Sequence, residues 1–269
     1  MSESDRVFAG SIPALYDRYL GPLIFAEYAA DLAKRAAALQ PARVLEIAAG
    51  TGIVTRAMVR AVPASVEINA TDLNQAMLDF AAAQPGAARV TWRQADAQRL
   101  PFEVSSFDAV LCQFGAMFFP DRGVAYREAC RVLRPGGHFL FNVWDRIEEN
   151  EFTYVLTEAV AALFPEDPPR FLARTPHGYH DIAAIEGELR AAGFSDVKVE
   201  TVSRRSRASS ARDPAIGFCQ GTPLRNEIEA RAPARVAEAT DAAAAAIAQR
   251  FGPGPVDGKI QAHVFTASA

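Results

Sequence analysis

The chain has 269 residues, half of them hydrophobic and 22% charged, the composition of a globular protein with ample apolar residue for one buried core. Its net charge of -4 argues against nucleic acid as a partner, and the local basic run Arg204, Arg205, Arg207 and Arg212 has no interleaved aromatics, so it reads as a solvated strand end. Cys112, Cys130 and Cys219 are far apart without metal-like spacing, the start MSESDRVFAG lacks a signal peptide's apolar core, and no run approaches the ~18 apolar residues of a membrane span; the expectation is a cytoplasmic protein without disulfides or metal.

Strand and helix patterns alternate through the middle of the chain. RVLEIA (43–48) is a buried strand, and RAMVRAV (56–62) has helical spacing, with Ala57, Met58 and Ala61 on one face. SVEINA (65–70) is a second strand ending at Thr71 and Asp72. NQAMLDFAAAQ (74–84) follows as a helix with Asn74 placed to cap it. RVTWRQ, SFDAVLCQ and HFLFNVW are further strands. The helix GVAYREACRVL (123–133) precedes the last of them, and RPGG (134–137) stops that helix as a turn. EGELRAAGF (186–194) is a helix ending at Gly193, DVKVETVS (196–203) an alternating strand, and AHVFTA (262–267) a final one. Between these two lies an Ala-rich helical stretch, about 209–258; if the two strands pair, it is an insertion between sheet neighbours. The alternation predicts an α/β sheet of parallel strands covered on both faces, with a ligand beyond the strands' carboxyl ends.

The segment VLEIAAGTGIVT (44–55) reads as a strand entering a glycine loop and then a helix, a turn whose exposed backbone N–H groups attract anionic groups. Gly50 and Gly52 allow close approach of a ligand. Asp72, at the end of the next strand, is where an acid accepts hydrogen bonds from ribose hydroxyls. A dinucleotide and a nucleoside sulfonium fit these residues equally well. Asp96 and Ala97 in ADA, and the apolar strand FDAVLCQFGAMFFPD with Gln113 at its carboxyl end, narrow the choice.

VLEIAAGTG, ATDLNQAML, QADAQRLPFEVSSFDAV, QFGAMFFPD and EACRVLRPGGHFLFNVW stand in one order across about 44–144. Together they resemble class I S-adenosylmethionine-dependent methyltransferases, in particular the ubiquinone/menaquinone-biosynthesis group (methyltransferase type 11). VFAGSIPALYDRYL is similar to that group's amino-terminal helix. The resemblance implies a Rossmann-like fold, a seven-stranded, mostly parallel sheet with an antiparallel last strand and a helical lid. It also implies S-adenosylmethionine as cofactor. Glu46 would orient the loop and the methionine end, and Ala48, Gly50 and Gly52 would wrap that end. Asp72 would hold the ribose, Leu73 would pack on adenine, and Asp96 with Ala97 would read its edge. Gln113 and Phe114 would flank the methyl path, and Tyr16 would close over the cofactor's carboxylate. Ala48 departs from the group's usual glycine; its β-carbon is tolerated where the residue keeps a negative φ.

On this reading 1–269 is one domain: an N-terminal helical cap (1–35), a cofactor-binding core (36–145), and a C-terminal part (146–269) that completes the sheet and carries the insertion. Phe8, Tyr16, Phe25, Phe152 and Phe171 in the outer segments suit a small, partly apolar acceptor. His177 and His180 in RTPHGYHD are candidate bases, with Asp181 as either their partner or a helix cap. His138 and His263 read as structural, as does Asp108. The Ala-rich helices could equally line a homodimer interface. Two other functions compete: a non-catalytic binding protein on the same fold, consistent with Ala48, and a nicotinamide-dependent oxidoreductase, for which no Tyr-x-x-x-Lys pair is present.

Overall fold

The computed structural model describes residues 10–269; Phe8 and the rest of 1–9 lie outside the described residues. The chain starts with α1 (Ile12–Leu15), passes through wide π-type turns at Tyr16–Phe25 and enters α2 (Ala26–Ala38). Pro22 sits in the π segment, where its missing N–H breaks the ordinary helical ladder. There follow β1 (Arg43–Glu46), α3 (Ile53–Ala61), β2 (Glu67–Asp72), α4 (Gln75–Ala82), β3 (Val90–Gln94), β4 (Phe107–Gln113), α5 (Arg122–Val132) and β5 (Leu133–Trp144). The last third contains α6 (Glu151–Ala162), α7 (Phe171–Arg174), α8 (Ile182–Ala191), β6 (Val197–Ala208), α9 (Arg212–Gln220), α10 (Leu224–Arg231), α11 (Val236–Phe251) and β7 (Val256–Ser268).

The seven strands form one sheet in the order β3-β2-β1-β4-β5-β7-β6. The pairs β1–β2, β1–β4, β2–β3 and β4–β5 are parallel. β7 runs against its neighbours: Ala269 bonds to Gly136 and Gly137 while Asp145 bonds to Gln261, and Ser268 bonds to Ser195 and Asp196. The Rossmann-like, mostly parallel sheet with an antiparallel last strand is thus present, and α9 to α11 are inserted between the neighbours β6 and β7.

RPGG is more than a stop. α5 ends at Val132, Leu133 pairs with Phe107, and the next pair is Ala109 with His138, so 134–137 bulge out of β5 rather than precede it. β6 and β7 also run past the stretches read from sequence: in β6 the added residues 204–208 are mostly polar, while in β7 the added residues alternate, with Val256 and Ile260 buried.

The chain packs as two compact units, one of the described residues up to 25 with 144–179 and 203–262, the other of 26–143, 180–202 and 263–269. In the second unit Leu32, Ala33 and Ala36 of α2 and Val54, Ala57 and Met58 of α3 bury against Val44, Ile68, Ala109, Leu111 and Leu140 of the sheet. An aromatic stack forms another part of that unit's core: Phe139–Phe141 at 4.7 Å between centroids, Phe141–Phe265 at 4.9 Å and Phe139–Phe194 at 5.6 Å. Arg89 fastens the end of α3, its guanidinium donating to the carbonyls of Val59 (3.0 Å), Val62 (3.3 Å), Pro63 and Val66 (3.4 Å). Asp108 accepts from the N–H groups of Ala42 (2.8 Å) and Arg43 (2.7 Å) and from Arg134 (2.7 Å), so it is structural, tying β4 to the start of β1.

In the first unit Phe152 of α6 meets Phe251 of α11 edge-on at 5.0 Å, and Gly217 of α9 lies where a side chain would strike Leu20. Glu227 of α10 accepts from the N–H groups of Arg170 and Phe171 at the start of α7 and from the Arg174 guanidinium. Three arginines of the basic run face acids: Arg205 and Arg207 pair with Asp257, and Arg212 with Asp241. Cys112 and Cys219 are buried and Cys130 is partly so; all three are free thiols. No described helix is long and apolar enough to cross a membrane, and no three His, Cys, Asp or Glu among the described residues gather as a metal group.

Candidate active site

The parallel register aligns the carboxyl ends of four strands. Glu46 pairs with Ala70 and Leu111, Asp72 with Gln94, and Gln113 with Asn142. The strand order reverses at β1 and β4, the position where open α/β sheets bind ligands.

The loop after β1 is anchored on both sides. Ile47 N–H donates to Leu111 O of β4 and Ala49 N–H to Thr71 O of β2, each at 2.9 Å. Ala48, between these two anchors, takes φ +53, contrary to the negative φ expected from sequence. A left-handed alanine costs about 1–2 kcal/mol, which the two anchors hold in place. Gly50 (φ +56) and Gly52 (φ +77) complete the turn. Their surroundings differ: a β-carbon at Gly52 would lie 3.0 Å from the Trp92 ring and 3.1 Å from Ala81, whereas one at Gly50 would meet nothing within 4 Å. Gly52 therefore serves close packing, and Gly50 has an open side. The Thr51 hydroxyl beside it is buried and has no hydrogen-bond partner. A buried orphan hydroxyl next to an open glycine fits a polar ligand seated on this loop. Arg56 donates to Thr51 O at 2.7 Å and holds the turn from α3.

Two buried acids stand at the loop's base. Glu46 is 2% exposed; Thr55 Oγ1 donates to its Oε2 at 2.5 Å. Burial pushes its carboxyl up to about 8, with the Asp72 charge adding and the Thr55 bond and Arg56 opposing. Asp72 accepts from Gly50 N–H and Asn74 N–H, both at 2.8 Å, and so links β2 to the loop. Burial raises its pKa as well, opposed by these backbone bonds. Asn74 occupies the N-cap of α4, but its side chain lies 3.5 Å from Asp72 Oδ1 and caps nothing.

Farther along the same edge, Asp96 accepts from Gln98 N–H at 2.8 Å in a tight turn, and Ala97 is buried beside it. Leu73 is 42% exposed, an uncommon position for a leucine. Gln113 ends β4 half-buried, and Phe114 follows with φ +50, a conformation rare for a bulky residue. Asn142 clamps it: the Phe114 N–H donates to both Asn142 O (3.1 Å) and Asn142 Oδ1 (3.0 Å), and the Tyr28 ring meets the phenyl edge-on at 5.4 Å. Strain held by surrounding bonds is a frequent mark of functional sites. Glu46, Ala48, Gly50, Gly52, Asp72, Leu73, Asp96, Ala97, Gln113 and Phe114 thus all belong to one unit and one sheet edge. Thr51, Thr55 and Asn142 escaped the sequence reading; the spacing of a buried acid and a threonine nine residues on was the available signal for Thr55.

The other candidates are placed differently. Tyr16 stacks on Phe25 at 4.8 Å within the first unit. In that unit Phe25 also packs against Trp144 (6.2 Å), and Trp144 against His177 (6.0 Å). His177 is buried, its Nδ1 2.8 Å from the Asp145 carbonyl. A carbonyl only accepts, so the neutral ring carries its proton on Nδ1 and Nε2 is the basic atom. His180 belongs to the second unit, just ahead of Asp181, which caps α8 by accepting from Ala184 N–H at 3.1 Å. His263 is buried and bonded to Thr201 at 2.9 Å, in keeping with a structural role.

A doubly wound sheet with a buried acid, a strained glycine loop and a second acid at the next strand's end has the geometry of a site for a nucleotide-like cofactor. The model of the family described as a methyltransferase domain matches residues 45–141. The ubiquinone/menaquinone biosynthesis C-methyltransferase UbiE of Stutzerimonas stutzeri is 30% identical over 174 residues, 60% of this chain and 68% of that one. The demethylmenaquinone methyltransferase of Deinococcus radiodurans is 41% identical over 110 residues, 40% of this chain and 45% of that one. Among solved structures, phosphoethanolamine N-methyltransferase 2 of Haemonchus contortus matches with TM-score 0.58 and 19% identity, over 95% of this chain and 56% of that one. YcgJ of Bacillus subtilis matches with TM-score 0.57 and 21% identity, over 90% and 98%. The chain belongs to the S-adenosylmethionine-dependent methyltransferases similar to the ubiquinone/menaquinone-biosynthesis group, and S-adenosylmethionine is its cofactor. That assignment sets aside the nicotinamide-dependent reading and the non-catalytic one.

Proposed function

We propose that the protein transfers a methyl group from S-adenosylmethionine to a small, partly apolar acceptor by in-line displacement. When bound, the cofactor supplies a methyl on a sulfonium and so its own leaving group. The protein's part is alignment, which can contribute about 7–11 kcal/mol. Glu46, Ala48, Gly50 and Gly52 hold the methionine end. Asp72 holds the ribose, Leu73, Asp96 and Ala97 the adenine, and Gln113 with Phe114 the methyl path. Tyr16 is proposed to cover the cofactor's carboxylate. The single-domain plan is proposed with it: a cap of 1–35, a core of 36–145, and 146–269 completing the sheet.

The observation that supports an apolar acceptor most is the aromatic row Tyr16–Phe25–Trp144–His177, gathered from three separate stretches of the first unit. Names of relatives such as the ubiquinone/menaquinone biosynthesis C-methyltransferases make quinone-type rings and their reduced forms the acceptor class to try first. Of the two histidines, His177 is the proposed base, because its Nδ1 bond to Asp145 fixes the tautomer and the ring plane. His180 is the weaker candidate. A general base adds about 10²–10⁴-fold.

The test is transfer of labelled methyl from S-adenosylmethionine to a panel of hydroxylated aromatics, amines and carboxylates, repeated with a chiral methyl. Label on a partly apolar aromatic with inverted configuration is the expected result. Retention of configuration, or label confined to charged, non-aromatic acceptors, would overturn the proposal.

A further inference from the structure

The turn after β4 and the loop after β1 meet at one point within the second unit. Gly115 has an ordinary backbone, φ -102 and ψ -33, so no torsion demands a glycine there. Space does. A β-carbon at Gly115 would lie 2.6 Å from the Ala48 methyl and 2.8 Å from Cys112 Sγ. Ala48 projects that methyl because of its φ of +53, fixed by the flanking bonds of Ile47 and Ala49 to β4 and β2. The residue before Gly115 is the strained Phe114, and the Gly115 carbonyl accepts from Phe118 N–H at 2.9 Å to start the next short turn. Methyl and glycine are therefore complementary halves of one contact. Anything that pushes on Gly115 moves the left-handed Ala48, the Cys112 side chain or the backbone of Phe114.

We propose that Gly115 is a positioning residue of the cofactor site: it gives the Ala48 methyl its place and so sets the loop that holds the methionine end against the Phe114 segment of the methyl path. This rests on the cofactor loop assignment above. It also explains how alanine can stand at 48, since its partner across the turn has no side chain. The coupling predicts that a methyl can sit on one side of the contact or the other, but not on both.

Cys112 Sγ faces the same point, so the test is a cycle in a Cys112→Ala background: Gly115→Ala, Ala48→Gly, and both together. S-adenosylhomocysteine and adenosine are titrated calorimetrically against each folded variant. Adenosine lacks the methionine part and so reports the ribose and adenine contacts alone. With Ala48 present, Gly115→Ala is expected to weaken S-adenosylhomocysteine about tenfold or more, as overpacking does, while adenosine changes less than about twofold. With glycine at 48, the same substitution is expected to cost less than about threefold for either ligand. An equal loss in both backgrounds, an equal loss for adenosine, or no loss at all would overturn the proposal. Should Gly115→Ala fail to fold beside Ala48, the variant with glycine at 48 must fold and bind; its failure would overturn the proposal too. An Asp72→Ala control that leaves both ligands unaffected would instead break the loop assignment on which the proposal rests.

Discussion

Glu46→Gln isolates the most unusual charge in the molecule. Burial moves the carboxyl from its ordinary 4.5 to about 8 in the folded chain, so the native state keeps a proton that the unfolded chain has already released. A raised carboxyl is linked to stability that is greatest below the unfolded value and is lost as pH rises toward the folded one. Between pH 5 and 7 the loss is about 1.4 kcal/mol per unit, or about 3 kcal/mol in all, a large share of a typical 5–15 kcal/mol. Asp72 is shifted the same way and steepens the slope, while the carboxylates lowered by arginine or lysine, such as Glu128 and Glu149, act at lower pH. A glutamine side chain at this position keeps the shape and can still accept from Thr55, but it has no proton to lose. Urea unfolding of the native chain and of Glu46→Gln at pH 5, 6, 7 and 8 measures the effect. The stability of Glu46→Gln relative to the native chain should grow with pH by about 3 kcal/mol between 5 and 7. A constant difference would show that Glu46 is ionised in the folded chain, and the reasoning from burial would be wrong.

The other expectations concern single contacts. Asn142→Ala removes the side-chain half of the clamp on the Phe114 N–H and leaves the bond to the residue-142 carbonyl, so it should cost about 0.5–1.5 kcal/mol of stability by urea unfolding; it should also weaken S-adenosylhomocysteine, and unchanged binding would separate the strained backbone from the cofactor. Arg89→Ala frees four carbonyls at the end of α3 and should destabilise by about 1–3 kcal/mol without altering cofactor affinity. His177→Gln, assayed once an acceptor is found, should lower kcat about 10²–10⁴-fold with KM for S-adenosylmethionine unchanged; a drop in cofactor affinity alone would remove it from the chemistry.

The cofactor edge is legible in sequence because each of its motifs combines a strand with the residue that ends it. Glu46, Asp72 and Gln113 fall at strand ends that apolar runs announce, the parallel pairing places them on one edge, and Asp96 follows two residues past the end of β3. The backbone is less legible. Nothing local to Ala48 forces a positive φ; the bonds that do so come from β2 and β4, tens of residues away. Nothing local distinguishes Gly115 from a turn glycine either, since the methyl that demands it lies 67 positions earlier in the chain. Of the helices of the first unit, α9 to α11 show in sequence only as an Ala-rich stretch, and α6 and α7 are not among the helices expected from it. Their boundaries depend on long-range partners such as Glu227 at the start of α7, which no periodicity reveals. RPGG does mark the end of α5, but the strand resumes around it because Leu133 still finds Phe107.

The central claim is that the loop from Glu46 to Gly52, with Asp72, holds S-adenosylmethionine. Titration calorimetry of the protein and of Asp72→Ala with S-adenosylmethionine, S-adenosylhomocysteine and NAD tests it most directly. Binding of both adenosyl ligands on the order of micromolar Kd, lost in Asp72→Ala and absent for NAD, is the predicted result. Heat from NAD alone, or adenosyl binding that Asp72→Ala leaves intact, would contradict the account.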